Sequence, residues 1–240
     1  MKVAIEMAEY AALGLVALDE ELQRLPLATL PGVFFRASRT GRSHPPHTSF
    51  AYFLPPSTTE DKPVREGRFN DRGQRALYLA TSPTILSAEM TQDGKSGAFA
   101  VARFDADMSA LRIANLLPDA TRDFPHVNSL LGEGERKRLP GHEADTDPYA
   151  HTVLLRQLLE RRHYDGAAYP SVHGAYLDDP SRFNVVLFTE SLFERILSTH
   201  WSEAHVTEEQ FEPVEDEDPA ITDARAKKVR DIAEGKTAQA

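Results

Sequence analysis

No cysteine occurs in the 240 residues. Its absence excludes disulfides and thiolate metal ligands, and it fits a reducing compartment, so a cytoplasmic location is expected. No apolar run approaches the ~18 residues that a membrane span needs. The longest, Ala11 to Leu18, follows Glu6 and Glu9 where a secretory signal would carry basic residues. A basic excess is missing as well: 27 Lys and Arg stand against 37 Asp and Glu, for a formal net charge of -10. Beyond residue 202 there are 11 acids and 5 bases, and before it 26 and 22, so most of the imbalance belongs to the C-terminal segment. Binding along a phosphate backbone requires the opposite sign, and direct nucleic-acid binding is not expected. The chain has no internal repeat.

What the chain does have is enough apolar material for a core, 41% of its residues. One domain over residues 1–202 is expected, with a helix over 4–25 packed on a core of about 30–190. An acidic tail over 203–240 follows, helical at most in its polar stretch from Ile221 to Gly235.

The densest stretch is Arg65 to Met90. Gly67-Arg68-Phe69-Asn70 and Asp71-Arg72-Gly73 make a glycine-punctuated loop, and Ala76 to Ala80 is an apolar run of strand length. Ser82-Pro83 then reads as a helix start, a hydroxyl cap followed by a proline where no N–H is missed. Glu89 falls four residues after Ile85 on that helix, and a carboxylate on an apolar face must be paired or used. Spacing alone fits a structural Arg68–Glu89 bridge as well as a functional site.

Strands are also expected at Gly32–Arg36, Ser49–Leu54, Gly97–Phe104, Leu111–Leu117 and Phe183–Phe188. Arg36 closes the first of these. Residues 118–147, charged and rich in Gly and Pro, read as an insertion loop or mobile lid, and residues 38–64 are polar and proline-rich on either side of the Ser49–Leu54 strand. Asp147-Pro148 opens a helix with His151, Leu154, Leu155, Leu158 and Leu159 on one face, and Thr189-Glu190 opens another over Leu192 to Leu197. In Tyr164 to Gly174 a Gly-led strand ends in Pro170-Ser171, where the hydroxyl emerges among loops; a turn serine bonding its own backbone would look the same. His44 with His47, and His200 with His205, lack a third ligand at useful spacing, so no metal site is expected.

Three of these features together, Arg36 on the first strand, Gly67-Arg68-Phe69-Asn70 with Leu77-Tyr78-Leu79-Ala80 and Glu89, and Ser171 before a buried strand, resemble the RES-domain family, named for an Arg, a Glu and a Ser. The resemblance covers roughly residues 30–190. It departs at Ala37, where the family commonly has an aromatic, and in the long inserts at 40–64 and 118–147. It implies an α/β (α+β) fold with an ADP-ribosyltransferase-like core of mostly antiparallel strands flanked by helices. It also implies NAD+ as substrate rather than cofactor, cleaved at the nicotinamide N-glycosidic bond by hydrolysis or phosphorolysis. Arg36, Glu89 and Ser171 would be the catalytic set, and Arg68, Asn70 and Tyr78 would bind NAD+. Family members act as toxins neutralised by an Xre-type antitoxin. Inorganic phosphate and a second copy of the chain are further partners to consider, whereas nucleic acid and membrane are not. The chemistry agrees with the residue types: forked guanidinium groups suit phosphate and ribose, and a fixed carboxylate stabilises an oxocarbenium-like ribose. Protein ADP-ribosyl transfer would use the same site, and in a non-catalytic interaction module these residues would be structural.

Overall fold

In the computed structural model, residues 15–40, 49–56, 64–91, 96–136, 149–171, 179–200 and 205–211 are described. Seven strands are β1 (Val33–Arg39), β2 (Leu77–Ala80), β3 (Gly97–Asp105), β4 (Ile113–Asn115), β5 (Gly166–Tyr169), β6 (Asn184–Leu187) and β7 (His205–Phe211). The helices among the described residues are α1 (Leu15–Arg24), α2 (Pro83–Met90), α3 (Pro118–Thr121), α4 (Pro125–Arg136), α5 (Ala150–Arg161) and α6 (Glu190–His200). The strands form one sheet in the order β4-β5-β6-β2-β1-β3-β7. Every neighbouring pair is antiparallel except β4 with β5. The fold is therefore mixed α/β with a mostly antiparallel sheet.

Strand alternation sorts the core onto the two faces. Phe34, Leu77, Leu79, Val185 and Leu187 pack under Leu192, Phe193, Ile196 and Leu197 of α6. On the other face Val186, Tyr169 and Phe188 meet α1, α4 and α5, while Ala37, Ala80, Phe99 and Val101 meet Ile85 and Leu86 of α2. Gly166 is required where β5 crosses β6: a β-carbon there would stand 2.2 Å from the Val186 carbonyl oxygen.

The sheet is weakly joined in the middle. β1 and β3 run alongside each other from Val33 opposite Asp105 to Arg39 opposite Phe99, but β1 and β2 meet only at Phe35 opposite Ala80. The Arg36 side chain occupies that seam. Its Nη1 donates to the Tyr78 carbonyl at 2.7 Å, and its Nε donates to the Phe53 carbonyl.

Several expectations are revised. Ser49–Leu54 is not a strand. Phe50–Phe53 is a 3-10 turn capped by Ser49, whose Oγ accepts from Ala51 N, with Tyr52 and Phe53 buried. The described part of 118–147 is helical, not a loop. Val127, Leu130 and Leu131 pack on the core, and Glu21 caps the start of α4 by accepting from Val127 N at 3.0 Å. The strand expected at Leu111–Leu117 shortens to β4, and that at Gly32–Arg36 extends to Arg39. β7 pairs with β3 in the region expected to open the tail. The first part of the helix expected over 4–25, His44 and His47, the opening Asp147-Pro148 and the segment from Ile221 lie outside the described residues.

Candidate functional site

α2 begins as its residues dictate. Ser82 Oγ accepts from Ile85 N at 3.3 Å, and Pro83 occupies the first turn. Burying Ile85, Leu86 and Ala88 turns Glu89 toward the ends of β5 and β6. There its Oε1 accepts two hydrogen bonds, from Ser171 Oγ at 3.0 Å and from Asn184 Nδ2 at 2.8 Å. Glu89 is half-buried, whereas Ser171 and Asn184 are 6% and 4% exposed. Among the described residues no hydrogen bond is given to Oε2. One carboxylate oxygen is thus fixed by two donors.

The loop before β2 is tight. Gly67 N donates to Asn70 O at 2.9 Å, and Asn70 N returns a bond to Gly67 O at 3.1 Å. A β-carbon at Gly67 would stand 2.5 Å from Asn70 Oδ1, which is why glycine is needed there. Asn70 Oδ1 accepts from the Tyr78 hydroxyl at 2.8 Å, and the same hydroxyl accepts from Phe69 N at 2.9 Å. Burial holds the Tyr78 phenol well above the ordinary tyrosine range, outweighing the bond from Phe69 N and the Arg156 and Arg68 charges. Asn70 Nδ2 closes the turn onto the Arg65 carbonyl at 2.8 Å.

Arg68 ties this loop to the serine. Its guanidinium carbon lies 4.9 Å from the Tyr169 ring centroid, and its Nη1 donates to the Pro170 carbonyl at 3.1 Å, one residue before Ser171. Thr152 Oγ1 donates to the Arg68 carbonyl from α5. Beneath the loop lies Arg156, 3% exposed. Its Nη1 donates to the carbonyls of Phe69 and Arg75, its Nη2 to that of Phe188, and its Nε to Glu160 Oε1.

Of the residues expected from sequence, Glu89 and Ser171 are in direct contact, and Arg68 holds the turn that carries Ser171. Tyr78 and Asn70 pair with each other. The Arg68–Glu89 bridge that spacing allowed does not form, since Glu89 bonds Ser171 and Asn184. Arg36 lies in the seam of the sheet, one residue before Ala37, and strand alternation sets it on the Phe34 face. Sequence reading missed Asn184 and Arg156. A polar residue opening the otherwise apolar run Val185 to Phe188 was the available signal for the first. An arginine inside the apolar stripe of α5 was the signal for the second.

Two surface concavities lie elsewhere. One of about 300 Å³ surrounds Arg112, Arg162 and Tyr164 near the start of β5, and one of about 660 Å³ surrounds Leu30, Asp105 and Met108. Among the described residues no group of three or more His, Asp or Glu could hold a metal ion, and no helix is long and apolar enough to cross a membrane.

No curated protein sequence matches the chain significantly. Among solved structures, the M. tuberculosis MbcT–MbcA toxin–antitoxin complex is similar, with a TM-score of 0.47 and 13% identity, over 88% of this chain and 97% of that one. The family model for the RES domain matches residues 33–205, which contain Arg36, Glu89, Ser171 and Asn184. The chain belongs to the RES domain family.

Proposed function

We propose that the protein degrades NAD+ by breaking the bond between nicotinamide and ribose, and that it is the toxin of a toxin–antitoxin pair held in check by an Xre-type antitoxin. The observation that carries the chemistry is the Glu89 carboxylate, with Oε1 fixed by Ser171 and Asn184 and Oε2 open among the described residues. As the N-glycosidic bond lengthens, positive charge builds on the ribose, and a carboxylate already oriented stabilises it without reorganising. Nicotinamide departs as a neutral molecule, so no general acid is needed. The bond electrons leave with the ring nitrogen, and water or inorganic phosphate then attacks the anomeric carbon. The Ser171 hydroxyl, now on Glu89, turns toward a ribose hydroxyl or the nicotinamide amide when substrate enters.

The remaining residues divide between substrate and framework. Arg68 supplies positive charge beside the dinucleotide, although an observed donor already holds the Pro170 carbonyl, and Arg36, set on the Phe34 face, reaches the dinucleotide through the seam between β1 and β2. The half-buried Tyr78 ring, anchored through its hydroxyl to Asn70 and Phe69, serves as a stacking surface for nicotinamide.

Incubating purified protein with NAD+, with and without inorganic phosphate, tests the reading by its products. Free nicotinamide is expected, with ADP-ribose whether or not phosphate is present if water attacks, or with ADP-ribose 1″-phosphate and only in the presence of phosphate if phosphate attacks. Label from NAD+ appearing on lysate proteins would replace this with protein ADP-ribosylation. No release of nicotinamide under any condition would refute both.

A further inference from the structure

We infer that Asn184 is a positioning residue for Glu89, keeping the carboxylate aligned after Ser171 has turned to substrate; the inference rests on the NAD+-cleaving reading above. Three observations lead there. Asn184 opens β6, whose other members Val185, Val186 and Leu187 are fully buried, and at 4% exposure its amide needs a partner. The partner of that amide is Glu89, 95 residues earlier in the chain, at 2.8 Å. The strand itself is fixed on both sides, with Asn184 opposite Ala80 on β2 and opposite Tyr169 on β5.

The two donors to Oε1 differ in kind. The Ser171 hydroxyl rotates about one bond and both donates and accepts, so it can leave the carboxylate for a ribose hydroxyl. The Asn184 amide is almost fully buried on a strand hydrogen-bonded on either edge, so its side-chain torsions have little room to turn. If Ser171 alone oriented Glu89, engaging substrate would release the carboxylate at the moment its position matters. With Asn184 in place, Oε1 stays bonded and the carboxylate keeps its orientation. A residue acting in this way affects the rate of bond breaking and hardly affects substrate affinity.

The experiment is a kinetic double-mutant cycle between Asn184→Ala and Glu89→Ala in the full chain. In the wild-type background, Asn184→Ala is expected to lower kcat for nicotinamide release by about ten-fold or more, as for loss of a hydrogen bond to a charged group. KM for NAD+ should stay within about two-fold of wild type, because Asn184 touches the carboxylate and not the substrate. With Glu89 already alanine, the same substitution should leave residual kcat within about two-fold. Asn184→Asp keeps the shape at the head of β6 but replaces a donor by a charged acceptor. It serves as the second variant, and it should lower kcat at least as much as alanine does. Equal fold-losses in both Glu89 backgrounds, a loss carried by KM, or an active Asn184→Asp enzyme would overturn the positioning role. A wild-type protein that releases no nicotinamide would instead refute the proposed function, and the positioning role with it.

Discussion

Around Arg156 and Arg68, charged side chains donate outward to backbone carbonyls; around Glu89, side-chain donors converge on one oxygen of a charge. The first region joins α5, the loop before β2 and the ends of β5 and β6, through bonds to Phe69, Arg75, Phe188 and Pro170. Removing its cations leaves several enclosed carbonyls without partners. The second region joins α2 to the ends of β5 and β6, among the described residues, through two hydrogen bonds to Glu89, both from neutral groups. Removing its carboxylate leaves two small donors that water can satisfy. Framework changes should therefore appear in stability, and changes at the carboxylate in turnover.

Arg156→Met is the strongest way to break the framework side. Methionine keeps much of the apolar stem while abandoning the Phe69, Arg75 and Phe188 carbonyls, so a loss of about 3 kcal/mol is expected in urea unfolding. A loss below about 1 kcal/mol would mean that those carbonyls find other partners.

Glu89→Ala is the mirror case. Turnover of NAD+ should fall by about 10²-fold or more, or about 2.7 kcal/mol in barrier, while unfolding free energy shifts by less than about 1 kcal/mol. Near-normal nicotinamide release by a folded Glu89→Ala protein would remove the carboxylate from the chemistry. If instead the variant lost stability on the scale of Arg156→Met, the contrast between the two regions would fail.

Arg36 stands between the two regions and sharpens the comparison. It bridges the parted strands β1 and β2 through the Tyr78 carbonyl, and it is also proposed to face NAD+. Arg36→Ala should raise KM by about ten-fold, with a smaller fall in kcat and a loss of about 1–2 kcal/mol in stability. Loss of stability with KM and kcat unchanged would assign this arginine to the seam alone.

These contrasts also explain what was legible in the sequence. Signals contained in a few consecutive residues read through: Ser82-Pro83 as a helix start, Leu77 to Ala80 as a strand, Gly67 as a turn position. The grouping of Glu89 with Ser171 in one site came from the family resemblance, and their direct bond from the fold, since no local rule links residues 82 apart in sequence. Asn184 was hidden because its partner is defined only once β6 lies between β2 and β5. Arg156 was hidden because, in the pattern of α5, an arginine between Leu155 and Leu158 looks like a solvated interruption. In the fold it finds carbonyls from the loop before β2 and from the end of β6. Phe50–Phe53 looked like a strand by composition, but Ser49 offers a local cap, and two buried aromatics fix the turn on the core. The helix at 125–136 was masked by its charged C-terminal end.

Tyr78→Phe gives the smallest effect and probes the join between loop and strand. Without the hydroxyl, Asn70 Oδ1 loses a donor and Phe69 N an acceptor, a cost of about 1–2 kcal/mol at neutral pH. Alkaline pH then separates this bond from mere packing. Burial raises the folded phenol above its ordinary value of 10.0, so folded and unfolded chains both keep this proton at neutral pH. As pH passes 10, the unfolded chain loses the proton first, and the wild type sheds the stability that Tyr78 contributes. Phenylalanine has no such proton to lose. The stability gap between wild type and variant should therefore be widest at neutral pH and narrow steadily above pH 10 in urea titrations. Tyr164, whose phenol burial also raises, stays in both proteins and cancels from the difference. A gap independent of pH would place the Tyr78 hydroxyl in contact with solvent, and the Asn70 anchor would have to be abandoned.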